Sequence, residues 1–225
     1  MSLKIWLNGE LVDKADAKIS VYDHGVLYGD GAFEGIRMYH GKVFKHKEHI
    51  DRFYDSAKFL MIDIPMSKED MMKAVEDTLA ANNFTDAYIR LVITRGPGDL
   101  GIDPRKCDQP TIFIITDGIQ LYPEEMYRQG LKVVTVPTPR NHSECINPRV
   151  KSLNYVNNIL ARIEGNNCGV PEVIMLNLDG NICEGSADNF FLIKDGVIKT
   201  PPETDGILVG VTRNTVIDLA RQAGY

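Results

Sequence analysis

The chain has 225 residues, 44% of them hydrophobic, enough to bury one large core or two modest ones. A formal net charge of −6 without a long basic run argues against nucleic acid or an anionic membrane surface as a partner. No apolar stretch is long enough to span a bilayer, and "MSLKIWLNGE" turns polar too early for a signal peptide.

Turn signals flanked by strand-like runs open the chain. Asn8-Gly9 separates "LKIWL" from "ELV", and His40-Gly41 separates "IRMY" from "KVFK". A helical pattern follows over 46–60, presenting Ile50, Phe53, Ala57 and Leu60 on one side. A second helix is predicted over 68–82, opened by Ser67-x-x-Asp70 as a capping box. "AYIRLVITR", "TIFIITDG" and "LKVVTVP" read as strands rich in β-branched residues. Gly, Pro and charge interrupt the pattern at "GIQLYPEEMYRQG". This predicts a smaller α/β domain over 1–118, a linker over 119–130 and a larger domain over 131–225.

The proline-rich "VPTPRNHSECINP" leads into "RVKSLNYVNNILARIEGNN". There Leu153, Val156, Ile159, Leu160 and Ile163 recur at helical spacing, and Gly165 stands as a stop signal. Lys151 therefore falls at the entrance of a helix expected to be buried. Hairpin signals return at Asp179-Gly180 and Asp195-Gly196, between "VIMLNL", "NFFLI" and "VIKT". In "GILVGVTRNTVIDLARQAG", Gly210 reads as a tight turn and Thr212 as the N-cap of a last amphipathic helix. Hairpins alongside helices predict an α+β architecture with largely antiparallel sheets. Cys107, Cys145, Cys168 and Cys183 lie far apart without a Cys-x-x-Cys pair, which argues against zinc or a disulfide framework and for a reducing cytoplasm.

Four features bear on chemistry. Lys151 offers an amine. The helix start at Val211–Thr212 offers N–H groups and a dipole suited to phosphate, and Arg52 a forked cation for the same anion. Glu184 in "CEGSADNFF" offers a carboxylate that, if buried, needs a cationic partner such as a protonated pyridine nitrogen. Each has an ordinary reading by itself: a solvated lysine, a capped helix, an ion-paired arginine, a turn-capping glutamate. Together they are the parts of a pyridoxal phosphate site.

The ordered matches "WLNGELV", "HGVLYGDGAFEGIRMY", "HKEHIDRF", "AYIRLVITRG", "KSLNYVNNILA", "EGSADNFF" and "GVTR" resemble the class IV aminotransferases, and among them the branched-chain enzymes. The resemblance implies a two-domain fold-type IV pyridoxal-phosphate enzyme, like aminodeoxychorismate lyase and D-amino-acid aminotransferase. It implies that Lys151 bonds to pyridoxal 5′-phosphate, with Glu184 at the ring nitrogen and Tyr155 on the phenolic-oxygen side. Arg52, the backbone of Val211, and Thr212 would hold the phosphate. Tyr28, Phe33, Tyr88 and Arg90 match positions that shape the substrate pocket, some reaching across a dimer interface.

The implied reaction is ping-pong amino transfer between L-leucine, L-isoleucine or L-valine and 2-oxoglutarate, in a homodimer or larger homo-oligomer. D-amino-acid aminotransferase and aminodeoxychorismate lyase are the alternatives. "TRGPGDLGIDP", with no Arg-x-His pair, and Tyr155 favour the branched-chain type. Family members continue well past "LARQAGY". The second domain is therefore expected to be incomplete, with apolar residues such as Val216 and Leu219 uncovered, and an inactive cofactor-holding fragment is a further alternative.

Overall fold

The computed structural model describes residues 2–118 and 122–225, so positions 119–121 of the expected linker lie outside the described residues. The chain divides into two compact units. One comprises residues up to 120 together with Lys151–Asn154, and the other comprises 121–150 together with Tyr155–Tyr225.

The first unit is built on tight turns. Asn8 and Gly9, both at positive φ, join β1 (Lys4–Leu7) to β2 (Glu10–Asp13), the geometry that matches strand twist. A short helix α1 (His24–Tyr28) follows and ends on left-handed Gly29. His40 and Gly41 repeat the positive-φ turn between β3 (Gly31–Tyr39) and β4 (Lys42–Val43). Next come α2 (His46–Phe59) and α3 (Lys68–Asn82), then β5 (Ala87–Thr94) and β6 (Thr111–Asp117). The six strands form one antiparallel sheet in the order β2-β1-β6-β5-β3-β4.

Alternation divides the sheet's two faces. Ala32, Ile36, Met38, Ile89, Leu91 and Ile93 are buried in one cluster with Ile50, Phe53 and Ala57 of α2 and Met71, Val75 and Leu79 of α3. Each such large side chain contributes about 1.5–3 kcal/mol on burial, so this face holds the unit together. The capping box of α3 is half made. Ser67 Oγ accepts the Asp70 N–H at 3.0 Å, but Asp70 accepts the Ser67 hydroxyl instead of reaching the Ser67 N–H.

The second unit contains α4 (Glu124–Gln129), β7 (Val133–Thr135), α5 (Val156–Asn167), β8 (Glu172–Leu176) and β9 (Ile182–Glu184). These are followed by β10 (Leu192–Lys194), β11 (Val197–Lys199) and α6 (Val211–Gln222). β7 pairs with β8 in parallel, while β8–β9 and β10–β11 are antiparallel.

Several expectations need correction here. The helix after Lys151 starts at Val156, so Leu153 precedes it and Lys151 does not stand at its mouth. Gly165 is inside α5, which runs on to Asn167 before left-handed Gly169. The apolar stripe is not the buried face: Val156 is 67% and Ile159 54% exposed, and Leu160 and Ile163 are exposed as well. The buried side carries Asn158, Ala161 and Gly165, small or polar groups that let the helix backbone lie close to β8. The strand expected from "NFFLI" begins only at Leu192, and its residues are exposed. Gly210 has an ordinary φ of −72° and is itself the N-cap of α6, with Thr212 inside the first turn. Glycine at 210 leaves room for a neighbour, because a Cβ there would lie 2.6 Å from Asn189 Oδ1 and displace that side chain. Val216 and Leu219 of α6 are exposed.

Gly165 gives a direct test of the α5–β8 contact. A Cβ there would lie 2.4 Å from Cγ1 of buried Val173. Gly165→Ala gains about 1 kcal/mol of helix propensity but overpacks by about 1–3 kcal/mol. Denaturant unfolding should show a net loss in the parent, and no loss when Gly165→Ala is made in a Val173→Ala background and compared with Val173→Ala alone. A more stable Gly165→Ala protein would contradict this packing.

Candidate active site

In the first unit, Lys151 is held by its backbone. The N–H of Phe33 donates to the Lys151 carbonyl at 2.9 Å, and the N–H of Leu153 donates to the Gly31 carbonyl at 2.8 Å. β4 pairs only with Met38 and Tyr39, so 151–153 lies along the stretch of the β3 edge that β4 does not cover. Lys151 N–H also donates to Ser56 Oγ of α2 at 3.2 Å. Asn154 Nδ2 closes the segment on the Gly29 carbonyl at 2.9 Å.

The amine Nζ stands 4.6 Å from the centre of the Phe33 ring. The Arg90 guanidinium lies 4.4 Å from the same ring and 5.4 Å from that of Tyr88. Register explains the grouping: Gly35 faces Arg90 and Arg37 faces Tyr88 across the β3–β5 ladder. A Cβ on Gly35 would meet the Tyr88 hydroxyl at 2.4 Å, so the missing side chain makes room for the ring. Phe33, Tyr88 and Arg90 thus come together on the sheet face away from the helix-packed core, with Lys151 beside Phe33. Tyr28 sits on α1, where its hydroxyl accepts the Gly101 N–H at 2.8 Å and its ring meets His24 edge-on.

Arg52 is engaged on the opposite face. Its Nε and Nη2 donate to Oε1 and Oε2 of Glu34 at 2.7 and 2.8 Å. His49 Nδ1 lies 2.7 Å from the same Oε2, which makes it a donor there. Burial alone would raise the Glu34 carboxyl, but the hydrogen bonds and charges of Arg52 and His49 outweigh it and hold the group below the usual range. The fork fixes the guanidinium plane of Arg52.

In the second unit, Glu184 ends β9 and is buried. Arg140 Nε lies 2.8 Å from its Oε1, an ion pair without hydrogen-bond alignment, and the Leu208 N–H donates to Oε2 at 3.2 Å. Burial, then the Glu184 charge, pushes the neighbouring Cys183 thiol up to about 12. Nearby, Glu172 accepts the N–H and hydroxyl of Ser186, and burial plus the Glu172 charge raises Asp188 to about 6. Val211 and Thr212 form the first turn of α6, whose start carries neither a side-chain cap nor an acidic residue. Tyr155 occupies the N-cap position of α5.

A lysine wedded to a sheet edge, a buried carboxylate and an uncapped helix start lie in a sequence whose residues 31–225 match the family described as amino-transferase class IV. The chain belongs to the class IV aminotransferases. A relative named putative branched-chain-amino-acid aminotransferase, from Methanocaldococcus jannaschii, is 55% identical over 222 residues, covering 99% of this chain and 76% of the relative. The crystal structure of the Escherichia coli branched-chain amino acid aminotransferase superposes with a TM-score of 0.96 at 36% identity, over 100% of this chain and 76% of that one. The branched-chain enzyme from T.th., solved with pyridoxamine 5′-phosphate, gives 0.94 at 33% identity, over 100% and 75%. The α+β architecture is thus that of the fold-type IV enzymes.

In this class IV aminotransferase, Glu34, His49, Ser56 and Arg140 were not singled out from sequence. Glu34 had a readable signal: it sits among Ala32, Ile36 and Met38 in an alternating strand, so a charge on the core face required a partner from α2. Arg140 lies in an aperiodic loop and had no such signal.

Glu34→Gln would leave Arg52 and His49 without their anion. The expected cost is about 3–5 kcal/mol, as for other buried pairs broken on one side. Because the Glu34 carboxyl is depressed, its contribution is present above the unfolded value and is lost as pH falls through the folded value. Acid unfolding followed for both proteins should show a flatter acid limb for Glu34→Gln. Superimposable limbs would contradict the pairing.

Proposed function

We propose that this aminotransferase moves the amino group reversibly between L-leucine, L-isoleucine or L-valine and 2-oxoglutarate, with pyridoxal 5′-phosphate as cofactor. The donor set fits that cofactor. It comprises a primary amine (Lys151), a carboxylate for the ring nitrogen (Glu184) and a hydroxyl for the phenolic oxygen (Tyr155). For the phosphate it offers a guanidinium and an uncapped helix start (Arg52, Val211, Thr212). When bound, the cofactor supplies an aldehyde that exchanges for an amine and a ring that accepts the electron pair left on Cα. Lys151 would hold the cofactor through its amine and, once released, would move the proton at the amino acid's Cα. Glu184 would hold a proton on the ring nitrogen, and Arg52 with the α6 start would hold the phosphate.

The observation that carries this reading is the placement of the Lys151 amine 4.6 Å from the Phe33 ring, on a segment stitched to β3. An apolar ring beside the reacting amine suits a branched aliphatic side chain, whose burial contributes about 0.8 kcal/mol per CH₂. Tyr88, Arg90 and Tyr28 complete the proposed substrate residues, in a homodimer or larger homo-oligomer in the cytoplasm. The relatives' names support the same substrate class.

Borohydride reduction of cofactor-loaded protein, followed by peptide mapping, should label Lys151. A half-reaction panel should convert L-leucine and L-valine about 100-fold faster than D-alanine or aminodeoxychorismate, a gap of about 2.7 kcal/mol. A label on another lysine with Lys151 unmodified would refute the first assignment. D-alanine converted as fast as L-leucine would refute the second.

A further inference from the structure

Arg140 is more than a neighbour of Glu184. Its N–H donates to the Leu176 carbonyl at 2.8 Å, tying the loop to the end of β8. Its guanidinium is buried, with Nη1 3.1 Å from both Asn141 Oδ1 and Asn158 Oδ1. Asn158 in turn donates through Nδ2 to the Ser186 carbonyl at 2.6 Å, two residues beyond Glu184. The cation is therefore fixed from three segments, with its Nε 2.8 Å from Glu184 Oε1. Oε2 is approached from elsewhere, by the Leu208 N–H.

We infer that Arg140 is a positioning residue for Glu184, one that fixes the carboxylate plane and by its charge drives the proton shared with a cofactor ring nitrogen onto the nitrogen. This rests on the reading that Glu184 faces that nitrogen. A buried carboxyl and a pyridine share one proton in two ways, as carboxylate with pyridinium or as acid with neutral pyridine. Without help the neutral pair competes well in a water-poor interior, because separated charges lose their solvation. A guanidinium against the carboxyl is nearer to that group than to the ring, so it opposes a proton on Glu184 more than one on the nitrogen. Arg140 does no bond-making itself. It acts through the charge and orientation of Glu184.

The test uses Arg140→Gln, which removes the charge but keeps a hydrogen-bonding side chain, Arg140→Lys, which keeps the charge, and Glu184→Gln. In cofactor-loaded protein with an isotope-labelled ring nitrogen, magnetic resonance reads the nitrogen's protonation directly. Arg140→Gln should lower the fraction of ring nitrogen that carries a proton at about pH 7 by about twofold or more, the proton passing to Glu184, and Arg140→Lys should restore most of that fraction. If Glu184→Gln alters the nitrogen but Arg140→Gln does not, the inference about Arg140 is overturned while Glu184 keeps its place. If Glu184→Gln also leaves it unaltered, the placement of Glu184 itself fails.

A second readout needs no cofactor. Thermal unfolding of the apoprotein is compared at about pH 5 and about pH 8. In Arg140→Gln, buried Glu184 would lose the positive charge 2.8 Å from its Oε1 and shift towards the neutral form relative to the parent, so its contribution is present at low pH and lost as pH rises through the folded value. The deficit against the parent should grow from acid to base and vanish on adding Glu184→Gln. Cys183 feels the charges of both Glu184 and Arg140 but titrates at about 12, above this window, and repeating the comparison in the Glu184→Gln background separates the Glu184 contribution from those of Asp188, Glu172, Asp205 and Arg162. An Arg140→Gln protein that folds only at acid pH, or only with Glu184→Gln present, gives the expected answer. One equally weakened at both pH values, and not rescued by Glu184→Gln, would overturn the inference.

Discussion

Two backbone hydrogen bonds, Phe33 N–H to the Lys151 carbonyl and Leu153 N–H to the Gly31 carbonyl, set the position of the amine proposed to hold the cofactor. Lysine has a long, rotatable side chain that seldom holds one place by itself. Here the main chain carries the positional information, and the side chain has only to extend past Phe33. The register of β3 against β5 then determines what stands nearby. Phe33, Tyr88 and Arg90 share that face by strand alternation and register, and Gly35, lacking a side chain, leaves room for the Tyr88 ring. One ladder thus fixes both the amine and the candidate substrate surface.

Buried charge is handled in the same way in both units. Glu34 is matched by Arg52 and His49, and Glu184 by Arg140 and the Leu208 N–H. An unpaired carboxylate in either place would protonate or unfold its surroundings. The pairings let the chain keep fixed charges out of water, where electrostatic effects are stronger than at the surface. Arg52 illustrates how two readings of a residue merge: it is ion-paired, as an ordinary helix arginine would be, and that pairing fixes the plane of the guanidinium proposed to hold phosphate.

The elements most legible in sequence were those with a local cause. The turns at Asn8-Gly9, His40-Gly41 and Asp195-Gly196 all take positive φ, and the helices over 46–60 and 68–82 fall within a residue or so of their observed limits. What could not be read locally was which face of α5 is buried. Its apolar stripe at Val156, Ile159 and Leu160 is conspicuous, yet Ala161 and Gly165 make the contact, since close approach to Val173 depends on small size rather than hydrophobicity. Gly210 departs from its tight-turn reading for a related reason: the constraint there is a neighbour, Asn189, far away in sequence. The lysine was located through a resemblance carried by seven motifs. Its attachment to β3 and the role of Arg140 depend on long-range pairings that no periodicity encodes.

The positional account of Lys151 is tested most directly by amide hydrogen exchange at Phe33 and Leu153. Loop and linker amides open with little free energy, whereas sheet ladders open near the global limit. If the stitch to β3 positions the lysine, both amides should exchange within about tenfold of the β5 amides of Leu91 and Ile93. Exchange at the rate of exposed loop amides, while β5 stays protected, would show that the segment is not held and would contradict the account.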